Sequence, residues 1–333
     1  MPVVDVHSHY VPRGWPDLAG IAGGDGWPMI RVDSVSEATI MLGDKEFRRI
    51  TDACWNADRR LADMAADGVD VQVVSPTPVF FSYGRSPRQA ADVAALFNDL
   101  ALDITAEQPD RLMPFCQVPL QDADLACAEL DRSIANGHRG VEIGNHVGDA
   151  DLDSDGVVTF LHHCADRGVP VFVHPWDMPQ SPRLDRWMGQ WLVGMPAETH
   201  LSVLALVLSG AFDRLPESLR LAFAHGGGSF AFWAGRADNA WHQRRDVVGA
   251  DSEHPPSAYI SRFSVDSVVF SDAALRLLVD VLGAEQVMMG SDYPYPFGER
   301  PAGDVVRRAT LEDSDREALL GGNALRFLGM TGE

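Results

Sequence analysis

The stretch Val3-Val4-Asp5-Val6-His7-Ser8-His9 places an apolar strand very near the start of the chain and closes it on two histidines. Side chains alternate along a strand, so residues two apart point to the same side. His7 and His9 can therefore reach one point from the interior of a sheet. The plain alternative is two polar residues at a strand end, and His-x-His by itself is a weak pattern. Its weight comes from three further positions. His174 closes Val171-Phe172-Val173, His225 closes Leu221-Ala222-Phe223-Ala224, and Asp292 follows Val287-Met288-Met289-Gly290-Ser291.

These runs belong to a longer series rich in Val, Ile, Phe and Met: Val3–His7, Val69–Ser75, Leu112–Val118, Gly140–Gly144, Val169–His174, Leu219–His225, Phe263–Asp266 and Gln286–Ser291. Apolar helical periodicity fills many of the gaps, as in Arg88–Glu107, Ala123–Asn136, Trp187–Ser209 and Ala273–Leu282. Strand and helix in alternation imply a parallel sheet, and this many units close most naturally into an α/β (β/α)8 TIM barrel. Phe263–Asp266 carries the least strand signal of the series. Tyr10–Arg48, rich in Gly, Pro, Trp and Asp, reads as a small insertion after the first strand, at about residues 10-48, folded over the barrel mouth. The expectation is one domain over residues 1-333, ending on a closing helix at Asn323–Gly329, with no internal repeat.

Composition narrows the function. The chain has 333 residues, 46% of them hydrophobic, enough to bury a barrel-sized core. Its 48 Asp+Glu against 27 Lys+Arg give a net charge of −21, which opposes nucleic acid and anionic membranes as partners. An anionic small molecule stays open, because a few arginines inside a cleft reverse the local potential. Cys54, Cys116, Cys127 and Cys164 form no CxxC pair and read as reduced thiols. No leader pattern and no uncharged apolar run of spanning length stand out, so a cytoplasmic location is expected.

In a barrel the C-terminal strand ends converge on one mouth, so His7, His9, His174, His225 and Asp292 become neighbours there. Imidazoles with one carboxylate suit zinc by ligand type. Spacing alone leaves open which of His174 and His225 is the ligand.

At these residues the chain resembles the amidohydrolase superfamily and, within it, the metal-dependent decarboxylases of the 2-amino-3-carboxymuconate-6-semialdehyde type. The likeness runs over Asp5-Val-His-Ser-His-Tyr-Val-Pro12, Cys54-Trp55, Val171-Phe-Val-His-Pro-Trp-Asp-Met178, Trp191-Leu-Val-Gly-Met-Pro-Ala-Glu198, Ala224-His-Gly-Gly-Gly-Ser-Phe230 and Gly290-Ser-Asp-Tyr-Pro-Tyr-Pro-Phe-Gly-Glu299. It implies that His7, His9, His174 and Asp292 hold one zinc ion per subunit, with His225 as acid/base beside it and Asp292 shared by metal and chemistry. It further implies zinc-hydroxide addition to a conjugated substrate, proton transfer and loss of carbon dioxide, in the kynurenine route of tryptophan catabolism. Arg48, Arg236 and one of Arg244 and Arg245 are implied as carboxylate binders, and Trp191 as a neighbour of the substrate. A homodimer is implied as well, with Arg236 entering the partner's site.

Two residues depart from the family pattern. Glu142, in Gly140-Val141-Glu142-Ile143-Gly144, stands where the family has an uncharged Gln, and Tyr295 stands where it has Phe. A carboxylate on the fourth strand can bridge two metals, so a binuclear hydrolase is a rival reading. A decarboxylase of an aromatic hydroxy acid is another. Gly226-Gly227-Gly228 lacks a Walker lysine and reads as a place where backbone approaches His225 closely.

Overall fold

The computed structural model describes residues 1–330. Each expected run overlaps a strand of one parallel sheet: β1 Val4–Asp5, β2 Val71–Pro76, β3 Leu112–Cys116, β4 Gly140–Gly144, β5 Val171–His174, β6 Leu221–Phe223, β7 Ser264–Asp266 and β8 Val287–Met288. They pair in chain order, with Val4 opposite Val71, Val171 opposite both Val141 and Leu221, and Val265 opposite Val287. The sheet turns back on itself where Val6 N–H donates to Met289 O at 3.0 Å and His9 N–H to Tyr293 O at 2.7 Å. Helices α1 Ala57–Asp67, α2 Pro87–Thr105, α3 Ala123–Ala135, α4 Asp155–Arg167, α5 Met195–Leu208, α6 Phe230–Gln243 and α7 Asp272–Leu282 alternate with the strands, and α8 Asn323–Leu328 follows the last. This is a (β/α)8 barrel.

Local chemistry sets where the helices start. Asn56 caps α1 by accepting the Arg59 N–H, Asp122 caps α3 by accepting the Leu125 N–H, and Ser86 with Gln89 forms a capping box ahead of α2. In α2 the buried Val93, Phe97, Ala101 and Ile104 recur at helical spacing and form the face turned to the barrel.

Alternation along the strands divides the core. Val171, Val173, Leu221 and Phe223 point outward and pack with Phe160, Leu161, Val203 and Leu206 of the surrounding helices. Phe172, Ala222 and Ala224 point inward, and with Val4, Phe115 and Met288 they pack against Phe327 and Leu328 of α8. By the same alternation His174 shares the inward side with Phe172.

Between β1 and α1 lies an antiparallel sheet of Pro28–Val32, Glu37–Leu42 and Lys45–Thr51. Its Ala38, Ile40 and Ile50 pack with Val11, Trp27, Phe80 and Tyr295. That packing brings Phe47 and Arg48 to the mouth of the barrel.

The helical run Gln190–Leu208 is long and apolar enough to cross a membrane by composition, yet its Val203, Leu206 and Val207 pack into the barrel core. All four cysteines are free thiols.

Candidate active site

His7, His9, His174 and Asp292 meet at the C-terminal end of the strands, and one donor atom from each lies within 4.8 Å of all the others. His7 and His9 face each other through Nε2 at 3.1 Å. Asp292 Oδ1 stands 3.2 Å from His9 Nε2 and 3.6 Å from His7 Nε2. The His174 ring is centred 5.2 Å from that of His7 and 5.0 Å from that of His9.

Each imidazole is held from behind. His7 Nδ1 lies 2.5 Å from Asp266 Oδ2, His9 Nδ1 lies 3.3 Å from Pro76 O, and His174 Nδ1 lies 2.9 Å from Pro175 O. Carbonyls and carboxylates only accept, so Nδ1 carries the proton and the Nε2 lone pair is left to face the centre. Burial pushes the His174 imidazole well below its ordinary value, and the charges of His9, His225 and His7 push the same way. Three buried lone pairs and a carboxylate aimed at one point repel one another unless a cation lies between them. Nitrogen and oxygen donors in this number fit a divalent metal ion.

Burial works to raise the Asp292 carboxyl, but the imidazoles of His225, His9 and His7 around it outweigh that and hold the group well below the usual carboxylate range. His225 follows β6 at the head of the glycine turn, with Nε2 3.9 Å from Asp292 Oδ2. Burial works to lower its imidazole, while Asp292 and then Asp266 more than offset this and hold it above the ordinary value. Its Nδ1 is buried without a partner among the described residues. His225 (φ 54) and Asp292 (φ 57) both adopt the left-handed backbone, which costs non-glycine residues energy and is concentrated at functional sites. Gly228 is also left-handed (φ 64), and a Cβ there would lie 2.3 Å from Pro196 O beside α5. Only glycine fits that approach.

Sequence reasoning passes over Asp266, which ends β7. Its Oδ1 accepts the Gly226 N–H at 2.9 Å and the Val268 N–H at 3.0 Å, while Oδ2 holds His7. One carboxylate thus orients a ligand histidine and the turn that carries His225. The readable signal is an acid at the end of a strand run. Two deeper residues pin the other side. Asp5 accepts from His7 N–H, Ser291 N–H, Ser291 Oγ and Gln72 Nε2, tying β1 to the segment that leads into Asp292. Arg60, fully buried on α1, donates to Ser8 Oγ at 3.0 Å and to His9 O at 2.5 Å.

The cluster lies in a cavity of about 560 Å³ whose wall includes Phe47, Trp176, Met178, Trp191 and Phe297, with Arg48, Thr77 and Tyr295 among its polar residues. The Arg48 guanidinium lies 4.3 Å from the centre of the Tyr295 ring and, among the described residues, has no carboxylate partner. Trp191 lines the cavity as well. Arg236, Arg244 and Arg245 do not. Arg236 is exposed on α6 beside Trp233, Arg244 pairs with Asp246 at 3.0 Å, and Arg245 stacks 3.8 Å from the centre of the Trp241 ring.

Glu142 is fully buried, 4.0 Å from His9 Nδ1, on the far side of that ring from the Nε2 that faces Asp292. Among the described residues neither of its oxygens makes a close hydrogen bond, and burial outweighs the opposing pull of His9 and Ser75 and pushes the carboxyl up to about 8. Burial also pushes the Tyr295 phenol up, so it stays protonated.

The amidohydrolase family model matches residues 4–330. The 2-amino-3-carboxymuconate-6-semialdehyde decarboxylase of Dictyostelium discoideum is 37% identical over 98% of this chain and 91% of its own length. The protein of the same name from Caenorhabditis elegans is 32% identical over 98% and 94%. Among solved structures, 5-carboxyvanillate decarboxylase from Sphingomonas paucimobilis superposes with a TM-score of 0.81 at 25% identity, covering 99% of both chains. Dihydroxybenzoic acid decarboxylase from Polaromonas, solved with bound manganese, superposes with a TM-score of 0.75 at 20% identity, covering 100% of this chain and 98% of its own.

Proposed function

The chain belongs to the amidohydrolase family, as one of its metal-dependent decarboxylases, and on that footing we propose that its substrate is 2-amino-3-carboxymuconate-6-semialdehyde and its metal one zinc ion per subunit. The product is 2-aminomuconate semialdehyde. The observation that carries the reading is Arg48: a guanidinium on the cavity wall that, unlike Arg49 beside it, has no carboxylate of the described residues within ion-pair distance.

Each residue then has a task. His7, His9, His174 and Asp292 hold the metal, oriented by Asp266 and the carbonyls of Pro76 and Pro175. When bound, the metal supplies Lewis acidity and lowers the pKa of a water it holds. Arg48 takes a substrate carboxylate through its guanidinium fork, which matches that group in shape and charge. Phe47, Trp176 and Trp191 exclude water around the conjugated skeleton, which strengthens the charge interactions inside. The bond to the departing carboxyl group breaks as its electron pair passes into the conjugated system. His225 holds a proton at Nε2 and delivers it to the carbon that loses carbon dioxide.

A homodimer completes this reading, with Arg236 reaching the neighbour's substrate and Arg244 or Arg245 lending further positive charge. Support comes from α6, where Phe232 is 67% and Trp233 43% exposed beside Arg236. Such aromatic residues are enriched at interfaces. The rival binuclear hydrolase would need Glu142 between two ions, and that carboxylate faces the Nδ1 side of His9 instead.

The test is a coupled assay in which 3-hydroxyanthranilate dioxygenase forms the unstable semialdehyde in place and its absorbance decay is followed. The protein accelerates that decay, and Arg48→Ala lowers kcat/KM roughly 100-fold, the worth of a charge-assisted bidentate contact. Decay at the spontaneous rate, with turnover of an aromatic hydroxy acid in its place, moves the substrate to that class.

A further inference from the structure

Thr77 Oγ1 lies 2.8 Å from Tyr10 O and 2.5 Å from the Tyr295 hydroxyl. A carbonyl oxygen only accepts, so the single hydroxyl proton of Thr77 goes to Tyr10. The bond between Thr77 and Tyr295 must then be donated by Tyr295. Its phenolic proton is committed to the protein wall, and what the oxygen still offers is a lone pair. Both residues line the cavity, and Arg48 lies over the same tyrosine ring, 4.3 Å from its centre. One small ligand on this wall can therefore set a carboxylate against Arg48 and a hydrogen-bond donor against the Tyr295 oxygen.

We propose that Tyr295 is a specificity-determining residue whose hydroxyl oxygen accepts a hydrogen bond from an amino or hydroxyl group next to the carboxylate held by Arg48. The proposal rests on the Arg48 reading given above. It specifies the substrate class more closely: an acid carrying a hydrogen-bond donor on the adjacent carbon, with acceptors at that position turned away. A donor there satisfies the lone pair, whereas a second acceptor meets it with like partial charge. Phenylalanine at this position would leave the position indifferent to either group.

The experiment is calorimetric titration of the metal-loaded protein with benzoate, 2-aminobenzoate and 2-nitrobenzoate, which share a carboxylate and differ in offering nothing, a donor or an acceptor beside it. The wild-type protein binds 2-aminobenzoate about tenfold tighter than benzoate, the worth of one neutral hydrogen bond, and 2-nitrobenzoate more weakly than benzoate. Tyr295→Phe brings the amino compound down to benzoate and brings the nitro compound up to it. Opposite shifts on two ligands are not what general damage to the fold produces. Arg48→Ala weakens all three while leaving their order intact. A variant Tyr295→Phe that keeps the wild-type order, or weakens all three alike, overturns the assignment of Tyr295 and leaves Arg48 standing. If Arg48→Ala leaves all three affinities unchanged, the carboxylate reading falls and the Tyr295 proposal with it.

Discussion

On the proposed reading His225 and Asp266 both bear on the chemistry, but by different routes, and substitution separates them. His225 stands 3.9 Å from Asp292 outside the four-residue donor set, so His225→Ala keeps its metal and loses roughly 1000-fold in turnover, the worth of a positioned proton donor. Asp266 acts through His7, so Asp266→Asn weakens metal binding roughly 10- to 100-fold, measured by competition with a chelator. Metal loss in His225→Ala would mean that its role and that of a ligand are exchanged. The five residues that meet at the mouth are legible because each closes an apolar run, and strand ends of a barrel converge. Asp266 is not, because the apolar signal of Phe263–Asp266 is the faintest of the series. Arg60 is hidden for another reason: an arginine within a helical stretch reads as solvated, and only the folded chain shows it buried against Ser8 and His9. Its guanidinium ties Ser8 and the backbone of His9 to α1.

Helices and loops carry their own test. His138, just beyond α3, is buried, with Nδ1 bonded to Ser133 O at 3.1 Å and Nε2 without a partner among the described residues. Burial pushes its imidazole down to about 4, against an ordinary 6.5. Between those values the unfolded chain takes up a proton that the folded chain refuses. Stability is therefore complete above about pH 6.5 and is lost as pH falls toward 4, by roughly 3 kcal/mol from this residue. Denaturant titrations at pH 7 and pH 4.5 should show a smaller acid loss in His138→Gln than in the wild type. An unchanged loss assigns the acid sensitivity to other groups. At this scale the sequence is readable where periodicity is unbroken, as in α2 and α3. It misleads at Trp187–Ser209, where the helical run begins only at Gln190 because Trp187 (φ 55) and Met188 (φ 56) take left-handed backbone. The strands near the mouth are shorter than their apolar runs, since there the backbone bonds to side chains and turns, as Gly226 N–H does to Asp266.

For the whole molecule, the barrel is written in the number and order of apolar runs, whereas assembly is not, because an exposed aromatic residue looks the same in sequence as a buried one. Phe232 and Trp233 show the difference only in the fold. If Arg236 completes the partner's site, mixing inactive Arg236→Ala subunits with inactive His225→Ala subunits restores activity to about a quarter of the wild-type sites, as two-fold symmetry requires. A mixture that stays inactive after proven exchange confines Arg236 to its own chain. The central claim is that a metal held by His7, His9, His174 and Asp292 drives loss of carbon dioxide from a small unsaturated acid. It is tested most directly by measuring carbon dioxide released from 2-amino-3-carboxymuconate-6-semialdehyde by protein stripped with a chelator and then reloaded with zinc or manganese. One mole of carbon dioxide per mole of substrate is expected only after reloading, with zinc restoring full activity at about one ion per chain. Release by the metal-free protein at the same rate, or none beyond the spontaneous rate with either metal, would contradict it.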